Sequence, residues 1–194
     1  MNSFKVLKDP IRTNGIFAAK LWIREGSRAD PHDQKGAHHL LGSTLTRGCG
    51  PYDNLKLADE IEGCGAGLRS DAYEDGLLIS LKCASCDVER LLPILGWMVS
   101  DPHLDEDQLS LERELSLLSL QRQKENPFHL AYDGWRHIAY GNGAYGHDPL
   151  GIIKDLKNLD RPKLLPLTQK IKTREKVLSI SGSFDGEIHE LLER

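Results

Sequence analysis

Residues 36–48, GAHHLLGSTLTRG, are the stretch on which the prediction of the fold depends. We predict a short helix here. Side chains three and four positions apart lie on the same face of a helix, so His39, Gly42 and Ser43 are expected to point in one direction. The stretch therefore predicts a helix that presents one histidine beside two residues with little or no side chain.

The spacing of these three residues is that of the inverted zinc motif His-x-x-Glu-His. In that motif the two histidines bind the metal and the glutamate activates a water molecule. Only the first histidine is present in this sequence. Gly42 stands at the position of the glutamate and offers no side chain, and Ser43 stands at the position of the second histidine, where a hydroxyl is a poor zinc ligand. The motif is degenerate.

The flanking sequence resembles the M16 family of zinc metallopeptidases, which includes pitrilysin, insulinase and the mitochondrial processing peptidases. Residues 24–31, REGSRADP, followed by Gly36, resemble the approach to the family motif, and Arg47-Gly48 resembles its exit. Further matches follow in the family's order at residues 111–115 (LEREL), 145–151 (YGHDPLG, with Asp148 as an extra residue) and 176–185 (KVLSISGSFD). The resemblance covers about residues 13–194.

The resemblance also assigns a third zinc ligand, a glutamate on the helix that begins with LEREL. The matching position here is Ser119, and its neighbours Leu118 and Leu120 are not carboxylates either. Glu112, which matches an earlier acidic position on the same helix, is retained. Because a catalytic zinc normally needs three protein ligands, we expect a family member without an intact metal site, without a catalytic residue and without a cofactor.

The resemblance implies one α+β domain over residues 1–194, with a mainly antiparallel sheet and helices packed on one face, the metallopeptidase or LuxS-like fold. Full-length relatives carry a second, similar half, so this chain is expected to be a fragment or a half-size subunit. Its length suits a single domain with a sizeable core. No apolar run is long enough to span a membrane and no signal peptide is recognised, which predicts a cytoplasmic protein, with an organelle left open.

Composition narrows the classes of partner. The formal net charge of −4 creates no general attraction for nucleic acid or an anionic membrane, so we expect neither as a partner. Four cysteines leave a disulfide or a metal site as alternatives, because Cys83 and Cys86 have CxxC spacing but lack a second matching pair. We interpret them as reduced and structural, with a redox or metal role left open.

The pattern of apolar residues predicts the other elements. Strands are expected at residues 15–23, 76–82 and 176–185, and helices at residues 54–62, 87–99, 106–124, 153–159 and 164–171, with one helix from Pro127 and a last helix from about Glu187. The first hairpin of the family is expected to be shortened or absent. Asp87 is predicted to cap its helix and Pro93 to kink or shorten it. The residues predicted to face the core from the two long helices are Leu109, Leu115, Leu118, Leu120, Leu130, Trp135 and Ile138.

The glycine-rich segment Gly65-Ala66-Gly67-Leu68-Arg69 resembles the approach to the family's edge strand. In active members that strand lies beside the zinc and can pair with an extended substrate, so these residues are a candidate peptide-binding edge. A plain glycine-rich turn is the alternative. His129 and His137 lie too far apart along a helix to hold one ion, and the resemblance places His147 in a structural loop.

Three hypotheses for function follow. The first is a non-catalytic subunit that pairs with a zinc-bearing M16 subunit, or with a second half-domain, to form a chamber for peptides. The second is an active zinc metalloendopeptidase with a rebuilt site, using His38, His39 and either Cys49 or Asp71. The third is a peptide-binding or scaffold domain that acts through its open sheet edge.

Overall fold

The computed structural model describes residues 4–11 and 14–184, and it contains a five-stranded sheet in the order β1-β5-β2-β4-β3. The strands are β1 (Phe4–Pro10), β2 (Ile16–Ile23), β3 (Gly67–Ala72), β4 (Leu77–Ala84) and β5 (Lys176–Gly182). The helices are α1 (Ala37–Thr44), α2 (Asn54–Glu62), α3 (Val88–Ser100), α4 (Glu106–Gln123), α5 (Pro127–Tyr140), α6 (Ile153–Leu156) and α7 (Arg161–Thr173). A 3-10 turn, Leu45–Arg47, continues directly from α1.

The sheet is mainly antiparallel. Strand β2 pairs antiparallel with both β4 and β5, and β3 pairs antiparallel with β4, whereas β1 pairs parallel with β5. Strand β1 therefore does not form a hairpin with β2, although the two are neighbours in sequence. The family's first hairpin is absent, as expected, because β1 and β2 do not pair with each other. Residues 4–10 nevertheless form a strand, β1, which pairs with β5.

The core lies between one face of the sheet and the helices. Strand β2 shows why, since Phe17, Ala19, Leu21 and Ile23 are buried while Lys20 on the opposite face is exposed. This alternation is expected of a strand with one face covered. Helices α1, α3 and α7 contact one another or the strands over that covered face. The predicted α+β class with helices on one face is confirmed.

Helix α3 departs from prediction at two residues. It continues through Pro93 for 13 residues, so the proline does not shorten it. Asp87 precedes the helix but its carboxylate makes no capping hydrogen bond, and it instead accepts from Arg90 at 3.0 Å. The predicted cap at Asp87 is wrong because this nearby guanidinium competes for the carboxylate. The apolar face of the helix is buried as predicted.

The two long helices bury less than predicted. On α4, Leu109 and Leu120 are buried, but Leu115 and Leu118 are exposed. On α5, Leu130, Trp135 and Ile138 are all exposed, and Ile138 reaches 86%. The prediction of core contacts at these five residues is wrong, because no described element covers the outer side of this helical layer. The aromatic side chains of α5 stack on one another instead, as Tyr132 and Trp135 do with ring centroids 5.3 Å apart.

The remaining boundaries differ by a few residues. Strand β4 ends at Ala84, two residues later than predicted; α6 ends at Leu156, earlier than predicted; and α7 begins at Arg161. The helix predicted from Glu187 lies outside the described residues. None of the described helices combines the length and hydrophobicity needed to cross a lipid bilayer.

Candidate functional site

Helix α1 carries the degenerate motif, with Gly42 buried against the sheet and His39 and Ser43 partly exposed. Gly36 precedes the helix with a φ of +97°, a conformation that favours glycine. Because glycine has no side chain, the capping hydrogen bonds must come from another residue. The cap comes from Asp30, whose carboxylate accepts hydrogen bonds from the backbone N–H of Gly36 at 2.7 Å and of His38 at 3.0 Å. A carboxylate at this end of a helix also complements the helix dipole. The loop before the helix therefore fixes how α1 begins.

The space beside Gly42 is filled by a side chain of the sheet. A Cβ built on Gly42 would lie 2.8 Å from Leu77 Cδ1 and 3.5 Å from Ser70 Oγ. Leu77 is 1% exposed and begins strand β4. A side chain at residue 42 would require the end of the Leu77 side chain to shift. The position that the resemblance assigns to the catalytic glutamate is thus packed against the sheet and carries no side chain.

The histidine of the motif contacts a hydroxyl. His39 Nε2 lies 3.2 Å from Ser116 Oγ on α4, and that hydroxyl in turn donates to the Glu112 carbonyl oxygen at 2.8 Å. Burial lowers the pKa of His39, which favours a neutral imidazole. Ser116 is therefore the residue of α4 that contacts this histidine, and sequence comparison did not single it out.

The other predicted ligand positions make local hydrogen bonds. Ser43 Oγ donates to the Leu40 carbonyl oxygen at 3.1 Å, and Ser119, which is exposed, donates to the Leu115 carbonyl oxygen at 2.9 Å. Each hydroxyl bonds back to the preceding turn of its own helix, a common arrangement for serine within helices. Neither side chain is joined to His39 by a hydrogen bond among the described contacts.

The retained glutamate, Glu112, forms an ion pair with Arg47. Glu112 is 7% exposed, and its Oε1 accepts from Arg47 Nη2 at 2.5 Å and from Arg47 Nε at 2.7 Å. A guanidinium bound through two nitrogens makes a strong, charge-assisted pair with a carboxylate. Glu112 is therefore engaged in an ion pair between the 3-10 turn after α1 and helix α4.

These residues do not fit a zinc ion. Within residues 4–11 and 14–184, no group of three or more histidine, cysteine, aspartate or glutamate side chains is arranged to hold a metal. The rebuilt site of the second hypothesis is not assembled either, since both ring nitrogens of His38 face carboxylates, Asp30 and Glu25. Of its other candidates, Cys49 is buried and Asp71 is paired with Arg69.

The candidate peptide-binding edge is partly in place. Gly67, Leu68 and Arg69 lie on β3, whereas Gly65 and Ala66 belong to the turn before it, and Gly65 has a φ of +67°. Among the described strands β3 pairs only with β4, so it forms one edge of the sheet. An unpaired edge of this kind can accept an extended peptide as a further strand.

A buried ionic cluster lies beside α1 around His38, which is about 100° around the helix from His39. We call it the His38 cluster, and it consists of Glu25, Asp30, His38, His147 and Arg174. His38 is 1% exposed; its Nδ1 lies 2.6 Å from Asp30 Oδ1, and its Nε2 lies 3.7 Å from Glu25 Oε1. Arg174 donates to the other oxygen of Glu25 at 2.5 Å. The cluster joins α1, the loop before it, the loop that carries His147 and the end of α7, where Arg174 lies.

The charges in the His38 cluster stabilise one another. Burial by itself would lower the pKa of His38, but hydrogen bonds and charge interactions with Asp30 and Glu25 raise it overall. Burial would likewise raise the pKa of Asp30, and hydrogen bonds from His147 and His38 lower it overall. The pKa of Glu25 is lowered in the same way by His38 and Arg174. These directions are those of buried ion pairs.

Sequence comparison missed the His38 cluster. One signal was available, since His38 falls on the buried face of the predicted helix beside Ala37 and Leu41, where a histidine needs a partner. The partners could not be identified, because Asp30 and Glu25 come from the loop before the helix and Arg174 from a segment 149 residues beyond Glu25.

The cysteines form no disulfide among the described residues. Cys49 and Cys83 are buried, and burial raises the pKa of the Cys83 thiol to about 11. Buried thiols of high pKa are unreactive and serve as small apolar side chains. Cys86 is exposed, and its Sγ lies 3.8 Å from Asp87 Oδ2.

The family model for insulinase, peptidase family M16, matches residues 8–148. Curated relatives include the beta subunits of the mitochondrial-processing peptidase from Mus musculus, 30% identical over 175 residues, and from Bos taurus, 29% identical over 174 residues. Each alignment covers 89% of this chain and 35% of the relative. The chain therefore spans about a third of the length of these relatives.

Solved structures share the fold. The peptidase M16 inactive domain from Pseudomonas fluorescens superposes with a TM-score of 0.86 at 24% identity, over 98% of this chain and 47% of that one. A protease from Helicobacter pylori gives a TM-score of 0.86 at 17% identity, over 99% of this chain and 46% of that one. Together with the match to residues 8–148, which is more than half of the sequence, these findings place the chain in the M16 peptidase family.

Proposed function

We propose that this chain is a non-catalytic M16 subunit that pairs with a zinc-bearing M16 subunit, or with a second half-domain, and completes a chamber for peptides. The observation that carries the proposal is the state of the three motif positions: Gly42 has no side chain and packs against Leu77, while Ser43 and Ser119 bond back to their own helices. The chain itself then binds no zinc and needs no other cofactor. Peptide substrates are held in the chamber and cut by the partner.

Two further observations support this role. The ion pair between Glu112 and Arg47 engages the carboxylate that is retained near the degenerate motif. Strand β3 lies at a sheet edge and offers Gly67, Leu68 and Arg69 for pairing with an extended peptide. A surface that binds peptide but does not cleave it is what a non-catalytic subunit of a peptidase requires. A cytoplasmic location stays a prediction, since the curated relatives include mitochondrial proteins.

The first experiment measures zinc and peptidase activity together. Purified chain is incubated with zinc, freed of excess metal, analysed for metal content and assayed with a set of quenched fluorescent peptides. We expect no stoichiometric zinc and no cleavage, because too few ligands are present. One zinc per chain that is lost in His39→Ala, accompanied by peptide cleavage, would contradict the non-catalytic assignment.

The second experiment tests why the site is inactive. The triple change Gly42→Glu, Ser43→His and Ser119→Glu restores the predicted ligands and base, and we expect it to bind zinc whereas each single change does not. Adding Leu77→Ala tests whether the Leu77 side chain, which a side chain at residue 42 would displace, weakens that binding. In the matched control, residue 119 remains serine and Ser116→Glu is introduced instead. Ser116 is chosen because it is the α4 residue that contacts His39. Tighter zinc binding by the control would show that residue 116, and not residue 119, faces the metal position.

The third experiment tests pairing. The chain is mixed with a zinc-bearing M16 subunit of the same organism, and the mass of the complex and the peptidase activity are measured. We expect a stable complex of one copy of each subunit and a kcat/KM well above that of the zinc-bearing subunit alone. An unchanged activity without complex formation would favour the peptide-binding or scaffold hypothesis.

A further inference from the structure

A pocket of about 480 Å³ lies between helix α3 and the strands β1, β2 and β5, next to the end of α7. Its volume is within the roughly 300–1,000 Å³ that is usual for sites that bind small molecules. None of the residues that line it belongs to the degenerate motif or to β3. The pocket is therefore separate from the candidate site and from the candidate peptide-binding edge.

The walls of the pocket are apolar. Most of the wall is formed by core side chains that are each at most 6% exposed: Leu21, Leu92, Leu95, Val99 and Leu178. Phe4 on β1 continues this surface towards the edge of the sheet and is 50% exposed. Every residue of β1 except Val6 is exposed, so the helices leave this strand largely uncovered. The result is an apolar cavity that opens beside β1 and can receive the apolar part of a ligand.

Helix α3 widens the pocket by having no side chain at Gly96. This residue lines the pocket, and a Cβ built on it would meet no neighbouring atom within 4 Å. Packing within the described structure therefore does not require a glycine here, although glycine is unfavourable inside a helix. Close approach of a ligand to the backbone is one reason for a glycine at such a position.

Two lysines provide the charged part of the lining, Lys172 near the end of α7 and Lys176 at the start of β5. Lys176 lies on the same face of β5 as the buried Leu178, two residues further on, and it is paired across the sheet with Phe4. Its Nζ donates to the carbonyl oxygens of Lys172 at 2.7 Å and of Arg174 at 3.0 Å. The third hydrogen of the ammonium group is left for a further acceptor.

No carboxylate compensates the charges of these two lysines. The residues described as lining the pocket include no aspartate or glutamate, and within residues 4–11 and 14–184 neither lysine forms an ion pair. Burial lowers the pKa of Lys176 from its ordinary value of 10.5, while the two carbonyl acceptors favour its charged form. A partly buried ammonium group without a counter-ion is unfavourable, and a bound anion would offset that cost.

We infer that this pocket binds a single-chain alkyl carboxylate, with the alkyl chain along the apolar walls and the carboxylate beside Lys172 and Lys176. The walls favour an alkyl chain because each methylene taken out of water contributes to binding, and the ammonium groups favour an acidic head. A hydrocarbon would leave the lysines without a counter-ion, and an inorganic anion would leave the walls uncovered. The inference does not depend on the proposed pairing function.

The test measures binding of hexanoate, octanoate and decanoate to the whole chain by calorimetry at constant ionic strength, after bound lipid has been removed on a hydrophobic resin. We expect saturable binding that tightens about threefold for each added methylene, since each enters the apolar part of the pocket. Decylammonium has the same chain as decanoate but a positive head. It should bind about tenfold more weakly than decanoate, because its head meets two ammonium groups.

Gly96→Leu tests the position of the alkyl chain. Its side chain has free space to enter the pocket, and leucine favours a helix more than glycine does. We expect decanoate binding to weaken about tenfold or more, since the alkyl chain loses its place. Gly134→Leu is the matched control, because Gly134 is also a helical glycine with no atom within 4 Å of a built Cβ but does not line the pocket. It should bind decanoate like the unmodified chain, and thermal unfolding checks that both variants keep their fold.

Lys172→Met tests the position of the carboxylate. We expect it to weaken decanoate binding about fivefold and to leave the dependence on chain length unchanged. Lys170→Met is its control, since Lys170 is an exposed lysine of the same helix that does not line the pocket. This control should have no effect on binding.

Three results would each overturn the inference. They are the absence of saturable binding to the unmodified chain, binding of decylammonium as tight as that of decanoate, and equal weakening by Gly96→Leu and Gly134→Leu. If no carboxylate bound and Gly96→Leu changed the mass of the protein in light scattering, the pocket would instead be a contact between copies of this chain.

Discussion

His38 and His39 are neighbours on α1, yet they lie in opposite environments. His38 is 1% exposed between two carboxylates, and its pKa is raised. His39 lies on the motif face against the Ser116 hydroxyl, and its pKa is lowered by burial. Successive residues of a helix diverge by about 100°, so one step along the chain moves a side chain from one face to another. The same residue type is thus an ion-pair partner in one case and a neutral side chain in the other.

The two sides of α1 differ in how they are stabilised. The motif side has one charged pair, Glu112 with Arg47, and otherwise depends on Leu77 packing against Gly42. The side that carries His38 depends on the His38 cluster, in which buried charges must remain paired. Loss of a buried partner leaves an uncompensated charge, whereas loss of a neutral contact does not. Substitutions on the two sides should therefore have very different costs.

Asp30→Asn should have the largest effect. It removes the charge that pairs with His38 and weakens the cap of α1. Removing one partner of a buried pair typically costs 3–5 kcal/mol, so we expect a loss of about 3 kcal/mol in the free energy of unfolding, measured by chemical denaturation. Asp33→Asn, on an exposed aspartate of the same segment, is the control and should be nearly neutral. A small effect of Asp30→Asn would show that the cluster carries little stability.

The stability of the protein should also depend on pH through the His38 cluster. The pKa of His38 is raised above its ordinary value of 6.5, so its contribution is complete below pH 6.5 and is lost as the pH rises through the folded-state pKa. The lowered pKa values of Asp30 and Glu25 act in the opposite direction, and their contribution is lost in acid.

We therefore expect a decline in the free energy of unfolding above pH 6.5, at most about 1.4 kcal/mol per pH unit for one proton. The decline should disappear in His38→Gln, which cannot be protonated, and persist in His39→Gln. Denaturation curves from pH 5 to pH 9 measure it. The same slope in both variants would contradict the assignment to His38.

Arg47→Met should have an intermediate effect. It leaves the Glu112 carboxylate almost buried without its cation, although the half-exposed position of Arg47 moderates the cost. We expect a loss of about 1–2 kcal/mol, measured by denaturation. The double variant with Glu112→Gln should recover part of that loss, since a neutral amide needs no cation. If the double variant were less stable than either single one, the pair would not be the reason for the burial of Glu112.

His39→Ala should have the smallest effect, since it removes one hydrogen bond of a neutral ring. We expect a loss of about 1 kcal/mol or less and no change in bound zinc, which denaturation and metal analysis measure. Comparison with His38→Ala provides the contrast, because that variant leaves Asp30 and Glu25 unpaired. Equal losses in the two variants would remove the distinction between the two sides of α1.

Helices α3 and α5 show where prediction from sequence succeeds and where it fails. Both have apolar residues at helical spacing, and both are helices. On α3 the apolar residues are buried, while on α5 Trp135 and Ile138 are exposed. Periodicity predicts a helix and an apolar face, but burial also requires a second element against that face. Nothing in the local sequence distinguishes the two cases.

The sequence by itself determined strands β2, β4 and β5, the order of the helices and the family. It also predicts Gly42 at the position of the family's glutamate base and Ser43 and Ser119 at two of its ligand positions. These depend on residue identity and short-range spacing, which can be read along the chain. Only the tertiary structure decided that Leu77 fills the space at Gly42, that Arg47 neutralises Glu112, and that His38 joins Asp30, Glu25 and Arg174. Each of these contacts joins segments distant in sequence or depends on which way a helix is turned. Their energies come from packing and charge at distances of a few ångströms, which no local pattern records.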